Sequence, residues 1–226
     1  MDQTVKETQA NIRKTVAALL VFIVLLLGLL VYRMTAPQHL SLDQLKELGA
    51  IVFETPRSFE TAQLHDQDGK PFDASRWAGK WSLVFFGYTY CPDVCPTTLA
   101  TLRSFKKALA PELLPDTQIV FVSVDPGRDT TAQLAQYVDY FDPEFIGVSG
   151  EFLELQRFAQ QLNSAFNKVP GGGENYLVDH SANIVLINPR GDYQGFIKPP
   201  FELVRLTHAY EQLRLNYQST YGPEAG

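Results

Sequence analysis

Cysteine occurs only twice in the 226 residues, too few for a multi-bridge disulfide scaffold or a cysteine-rich zinc module. Positive charge is also short. Nineteen Lys and Arg face 25 Asp and Glu, for a net charge of −6 and a pI near 5.2. Such a chain lacks the basic face that electrostatic nucleic-acid binding requires. It has no internal repeat and no low-complexity stretch beyond Gly171-Gly172-Gly173. A glycine-rich phosphate loop, a metalloprotease helix and a serine hydrolase elbow are missing as well. What remains is 45% hydrophobic and 19% charged, the composition of a folded protein. The length suits one domain of about 150–200 residues with an extension.

Charge disappears entirely between Thr15 and Tyr32, in the run TVAALLVFIVLLLGLLVY. As a helix these 18 residues would reach about 27 Å, close to the hydrocarbon thickness of a bilayer. A cleaved signal peptide would have an apolar core of about 7–15 residues and an Ala-x-Ala site after it. The run is longer than that and no such site follows, so an uncleaved anchor is expected. Asp2 and Glu7 argue against a mitochondrial transit peptide, which is poor in acids. Lys6, Arg13 and Lys14 precede the run, so residues 1–14 are expected in the cytoplasm and the soluble part in the periplasm. The expected setting is a bacterial inner membrane, crossed once. The 193 residues after Arg33 carry 15 basic and 23 acidic side chains, a net charge of −8.

Beyond the anchor, residues 33–57 read as a spacer with one short helix. Ser41 and Gln44 have capping-box spacing, Leu42, Leu45 and Leu48 share a side, and Gly49 is a stop. Residues 58–217 read as one compact domain and 218–226 as a tail. Asp66-Gln67-Asp68-Gly69 predicts a hairpin turn between Phe59–Leu64 and Pro71–Asp73. Ser82–Tyr88 and Gln118–Val124 predict buried strands, and Phe145–Val148 a short one. Helical spacing covers Thr97–Ala110, Thr130–Tyr140, Glu151–Phe166 and Phe201–Tyr217. Ile184–Asn188 and Tyr193–Ile197 flank Pro189-Arg190-Gly191-Asp192, a second hairpin signal. The order predicts an α/β, thioredoxin-like fold, a central mixed sheet flanked by helices, after one transmembrane helix.

Both cysteines lie at the junction of the first central strand and its helix, in Cys91-Pro92-Asp93-Val94-Cys95-Pro96. Residues before proline avoid helical geometry, so Pro96 is expected at the first helical position with Cys95 at the N-cap. A helix N-terminus favours thiolate, the form needed for disulfide exchange and for binding a soft metal such as Cu(I). An inert disulfide closing so short a loop would gain little from chain entropy. Three residues separate the sulfurs where a thioredoxin site has two, which leaves room for a metal without excluding redox cycling. Among four histidines, His39, His65 and His208 read as ordinary surface or packed residues. His180, before the strand that starts near Ala182, is either an ordinary loop histidine or the third donor of a two-sulfur, one-nitrogen site. Asp179 is then its orienting partner.

Three blocks together resemble the Sco family of membrane-anchored, thioredoxin-fold proteins of cytochrome c oxidase assembly. They are Tyr88-Thr89-Tyr90-Cys91-Pro92-Asp93-Val94-Cys95-Pro96, Val124-Asp125-Pro126-Gly127-Arg128-Asp129-Thr130 and Val178-Asp179-His180-Ser181. The resemblance covers roughly residues 50–217. It implies Cys91, Cys95 and His180 as copper ligands, for one Cu(I) or Cu(II) per chain. It also implies a carrier, more chaperone than enzyme, that delivers copper to the binuclear site of oxidase subunit II after taking it from a periplasmic donor. Gly127 stands where the family more often has Glu. A thiol–disulfide oxidoreductase using Cys91 and Cys95, keeping the oxidase cysteines reduced, is the alternative. A redox or copper sensor is a third. Asp125 and Arg128 read as turn-stabilising residues or as a recognition patch, with Asp129 near a helix N-cap.

Overall fold

In the computed structural model, residues 2–35, 39–60, 62–171 and 173–222 are described. Residues 36–38 of the spacer, Thr61, Gly172 of the glycine run and residues 223–226 of the tail lie outside them. The chain divides into two units, Met1–His39 and Leu40–Gly226. The first is a single helix, α1 (Asp2–Thr35), whose stretch Ile12–Met34 is long and apolar enough to cross a bilayer. Across Ile12–Met34 the apolar side chains are exposed, as a helix able to face lipid requires.

The second unit is built on a seven-stranded mixed sheet ordered β1 (Ala50–Arg57), β9 (Tyr193–Ile197), β8 (Ile184–Ile187), β3 (Trp81–Gly87), β4 (Thr117–Ser123), β5 (Ile146–Gly150) and β2 (Leu64–Asp66). The central β3 runs parallel to β4 and antiparallel to β8. Every residue of β3 is buried, which explains an apolar run without alternation: helices cover both faces. On one face Trp81 meets Tyr210 and Tyr217 of α6 (Leu203–Tyr221) edge-on. On the other, Phe86 meets Phe158 of α5 (Phe152–Gln161). The helix after β3, α3 (Val94–Ala108), buries Thr98, Leu99, Leu102 and Phe105 and touches both α6 and α4 (Thr131–Phe141).

Several sequence expectations shift in detail. The capping box at Ser41 and Gln44 is present and opens α2 (Leu42–Glu47). The expected spacer nevertheless holds folded structure, because β1 pairs with β9 at the sheet edge and the folded unit begins at Leu40 instead of residue 58. The first predicted hairpin turn forms, with Asp66 N–H donating to the Lys70 carbonyl and a single bridge from His65 to Pro71, while β2 also pairs with β5 on its other side. The helix predicted over 151–166 stops at Gln161. Asn163 takes a left-handed φ of 52°, and Phe166 enters a strand. That strand, β6 (Phe166–Lys168), pairs with β7 (Val178–His180) in a separate two-stranded sheet that no periodicity announced. Phe152 and Leu203, at the first turns of α5 and α6, are exposed.

Candidate metal centre

The parallel strands β3 and β4 end side by side, and α3 begins above them, so the cysteine loop hangs over the carboxyl edge of the sheet. Asp93, not Cys95, is the N-cap of α3. Cys95 and Pro96 therefore lie inside the first turn, where proline is tolerated because those N–H groups have no intrahelical acceptor. This turn points Cys95 inward, fully buried, and leaves Cys91 half-buried at the mouth. Gly87, the last residue of β3, makes room for it. A Cβ there would stand 2.8 Å from Cys95 Sγ and 2.7 Å from the Phe121 ring.

His180 arrives from β7. Alternation along that strand turns Val178 and His180 inward and Asp179 to solvent. The orienting partner expected at Asp179 is supplied elsewhere: His180 Nδ1 lies 3.2 Å from the Ser181 carbonyl oxygen. A carbonyl only accepts, so this contact calls for a proton on Nδ1. Nε2 faces Cys95 Sγ at 3.3 Å. Phe85 and Tyr88 meet the imidazole edge-on, at 5.8 and 6.0 Å between ring centres. The two sulfurs and a ring nitrogen all lie within 4.8 Å of one another. A cavity of about 220 Å³ opens beside them, lined by Tyr88, Cys91, Val94, Leu177 and His180. His39 and His208 are exposed and His65 sits in β2, so none of them joins this cluster.

The sulfurs are unequal. Cys91 is held far below the usual thiol range, to about 3, first by a hydrogen bond from Cys95 and further by His180 and the backbone N–H groups of Asp93 and Cys95. The Cys95 N–H donates to Cys91 Sγ at 3.4 Å. Cys95 is pushed up by the neighbouring Cys91 sulfur and by burial. The reduced pair thus keeps one proton, on the inner sulfur, beside a nitrogen able to accept it.

Below the cysteines lies a polar support that the sequence marked only as a turn. The buried Asp129 carboxylate accepts from the Thr89 N–H (3.0 Å), the Thr89 hydroxyl (2.7 Å) and the Ser123 hydroxyl (2.6 Å). It ties the end of β4 to the cysteine loop. Capping of α4 falls to Thr130, whose hydroxyl accepts from Gln133 N–H. Asp125, also buried, pairs with Arg128 and accepts from the Tyr176 hydroxyl at 2.6 Å. These partners give Asp125 and Arg128 structural contacts, whatever else their surface meets. A Cβ at Gly127 would make only ordinary contacts, 3.8 Å from Asp125 and 3.9 Å from Tyr176.

Two soft sulfurs and one imidazole nitrogen, close together and partly shielded, form a donor set suited to copper. Known proteins carry the same framework. The family model described as SCO1/SenC matches residues 55–213. A Stutzerimonas stutzeri protein, provisionally named as copper-binding, is 34% identical over 169 residues, covering 75% of this chain and 83% of its own. The mitochondrial SCO1 homolog 1 of Arabidopsis thaliana is 31% identical over 183 residues, which span 79% of this chain but only 55% of that relative. The copper-bound crystal structure of Arabidopsis thaliana ScoI superposes with a TM-score of 0.62 at 32% identity, over 71% of this chain and 98% of the other. Fold, donor set and these matches agree: the chain belongs to the SCO1/SenC family.

Proposed function

We propose that this protein is a membrane-tethered copper carrier that binds one ion through Cys91 Sγ, Cys95 Sγ and His180 Nε2. The observation that carries this reading is the convergence of the two sulfurs and a His180 ring nitrogen within 4.8 Å of one another. With Nδ1 against the Ser181 carbonyl, Nε2 is the ring nitrogen that faces Cys95. Thiolates suit Cu(I), and the imidazole extends tolerance to Cu(II). Binding displaces the one proton left on Cys95, so uptake releases acid. The α1 helix tethers the carrier to the membrane of its target, with residues 1–14 in the cytoplasm and the metal site in the periplasm of a bacterial cell.

The recipient in this reading is subunit II of cytochrome c oxidase, and a periplasmic donor loads the site. Tyr90, Val94 and Leu177 are about half exposed around the mouth and form an apolar rim for a docking partner. Transfer proceeds by ligand exchange, an entering partner thiolate replacing one of the three donors while the ion stays bound. The test is to mix the copper(I)-loaded protein with the soluble domain of subunit II and follow the metal. Copper appearing in the recipient supports delivery. Full retention by the carrier when the recipient's affinity is the higher overturns it.

The unequal sulfurs favour a second activity of the same site. Cys91 thiolate attacks a partner disulfide, forming a mixed disulfide and releasing one partner thiolate. Cys95 gives up its proton and attacks Cys91 Sγ, and the second partner sulfur departs as a thiolate that takes up that proton. The partner gains two electrons and the Cys91–Cys95 pair becomes the disulfide. Such exchange needs both thiols, whereas copper carriage needs His180 as well.

A further inference from the structure

The strand that delivers His180 belongs to a hairpin outside the main sheet. Its ladder comprises three facing pairs, from Phe166 with His180 to Lys168 with Val178. At its base Phe166 meets Phe152 of α5 edge-on at 5.6 Å. At its far end the chain passes through a short 3-10 turn, Gly173–Asn175, directly into Tyr176. Three residues, two from the turn after β4 and one from β6, converge on that side chain. The Tyr176 hydroxyl donates to Asp125 Oδ1 at 2.6 Å, the Arg128 guanidinium carbon lies 3.6 Å from the ring centre, and Lys168 Nζ lies 4.2 Å from it.

Asp125 and Arg128 belong to the turn between β4 and α4, which the Asp129 network joins to the cysteine loop. Tyr176 therefore links the histidine hairpin to the support beneath the cysteines. A charge-assisted hydrogen bond and cations over an aromatic face are each directional, so they fix where the hairpin sits. Three residues separate Tyr176 from His180 along the chain.

We propose that Tyr176 is a positioning residue: its clasp on Asp125 and Arg128 holds His180 against the cysteines, and opening the clasp withdraws the nitrogen donor. A partner that competes for Asp125 or the Tyr176 ring would then loosen the ion at the moment of contact. This rests on the copper-carrier reading above. It gives the turn 125–129 a task beyond the support of its own helix.

The test uses the full-length protein in detergent, reduced, as wild type, Tyr176→Phe, His180→Ala and the double variant. Without metal, hydrogen exchange by mass spectrometry follows peptides spanning 166–181 and, as reference, those of β3 and α3. Tyr176→Phe is expected to speed exchange in the hairpin on the order of tenfold and leave the reference peptides unchanged. With Cu(I) and a chromophoric competitor, the same substitution is expected to weaken binding on the order of fivefold in wild type and less than about twofold in the His180→Ala background. Unchanged hairpin exchange overturns the clasp. An equal affinity loss in both backgrounds overturns action through His180. If wild type binds no Cu(I), the copper reading fails, and the metal-free exchange still decides whether Tyr176 holds the hairpin.

Discussion

At the residue scale the chemistry turns on one shared proton. Cys91 is ionised in the folded protein down to a pH of about 3, whereas Cys95 keeps its proton well above the ordinary thiol range. In the unfolded chain both sulfurs titrate near pH 8.5. Between about 3 and that value the unfolded chain binds two protons at these groups and the folded chain one, so their contribution to stability rises with pH. Above about 8.5 the unfolded chain binds none and the folded chain still one, so the contribution falls. Urea unfolding of reduced protein, compared with a Cys91→Ser/Cys95→Ser variant across pH 5 to 10, should show a stability difference that peaks near pH 8.5. A difference that is flat or rises throughout contradicts the assignment. The imidazole is oriented by the Ser181 carbonyl, 3.2 Å from Nδ1, and the neighbouring Asp179 side chain is exposed.

At the element scale the site is a meeting of three loop ends, and Asp129 locks two of them together. Its carboxylate accepts three hydrogen bonds while buried. Asp129→Ala leaves the Thr89 N–H and the Ser123 hydroxyl without that acceptor. It should cost on the order of 3 kcal/mol in urea unfolding, with faster alkylation of Cys95 in the native state. A loss below about 0.5 kcal/mol would show that the network is not a support.

Much of this architecture was legible along the chain. The buried strands β3, β4 and β8 are apolar runs, the capping box of α2 is strictly local, and the two cysteines sit at a strand-to-helix junction marked by prolines. What escaped depends on distant partners. The β6–β7 pairing joins segments across a glycine-rich loop, and neither strand is long enough to show a period. The turn at Asp66–Gly69 forms as read, but the pairing of β2 with β5 escaped, because a local turn signal does not name a strand's distant neighbour. Asp125 and Asp129 carried the sequence signature of a turn, but nothing local to them points to Tyr176 or Thr89, some 50 and 40 residues away.

For the whole molecule, the proposed function divides the work: the apolar helix sets the location and the acidic second unit carries the chemistry. A helix of 34 residues with an apolar stretch at Ile12–Met34 satisfies its own backbone within a bilayer, so the tether needs no partner. In the proposed orientation, with residues 1–14 in the cytoplasm, Cys91 faces the periplasm. A membrane-impermeant maleimide should then label Cys91 in intact spheroplasts of a bacterial host as fully as after lysis. Labelling only after lysis would reverse the orientation.

The central claim is a three-donor copper site, and the most direct measurement is Cu(I) competition against a chromophoric chelator, comparing the reduced protein with His180→Ala. The account predicts one ion per chain in the wild type, with affinity falling more than about tenfold, or about 1.4 kcal/mol, in the variant. Equal, weak binding by both proteins would contradict that ligand set and leave Cys91 and Cys95 as a dithiol exchange pair.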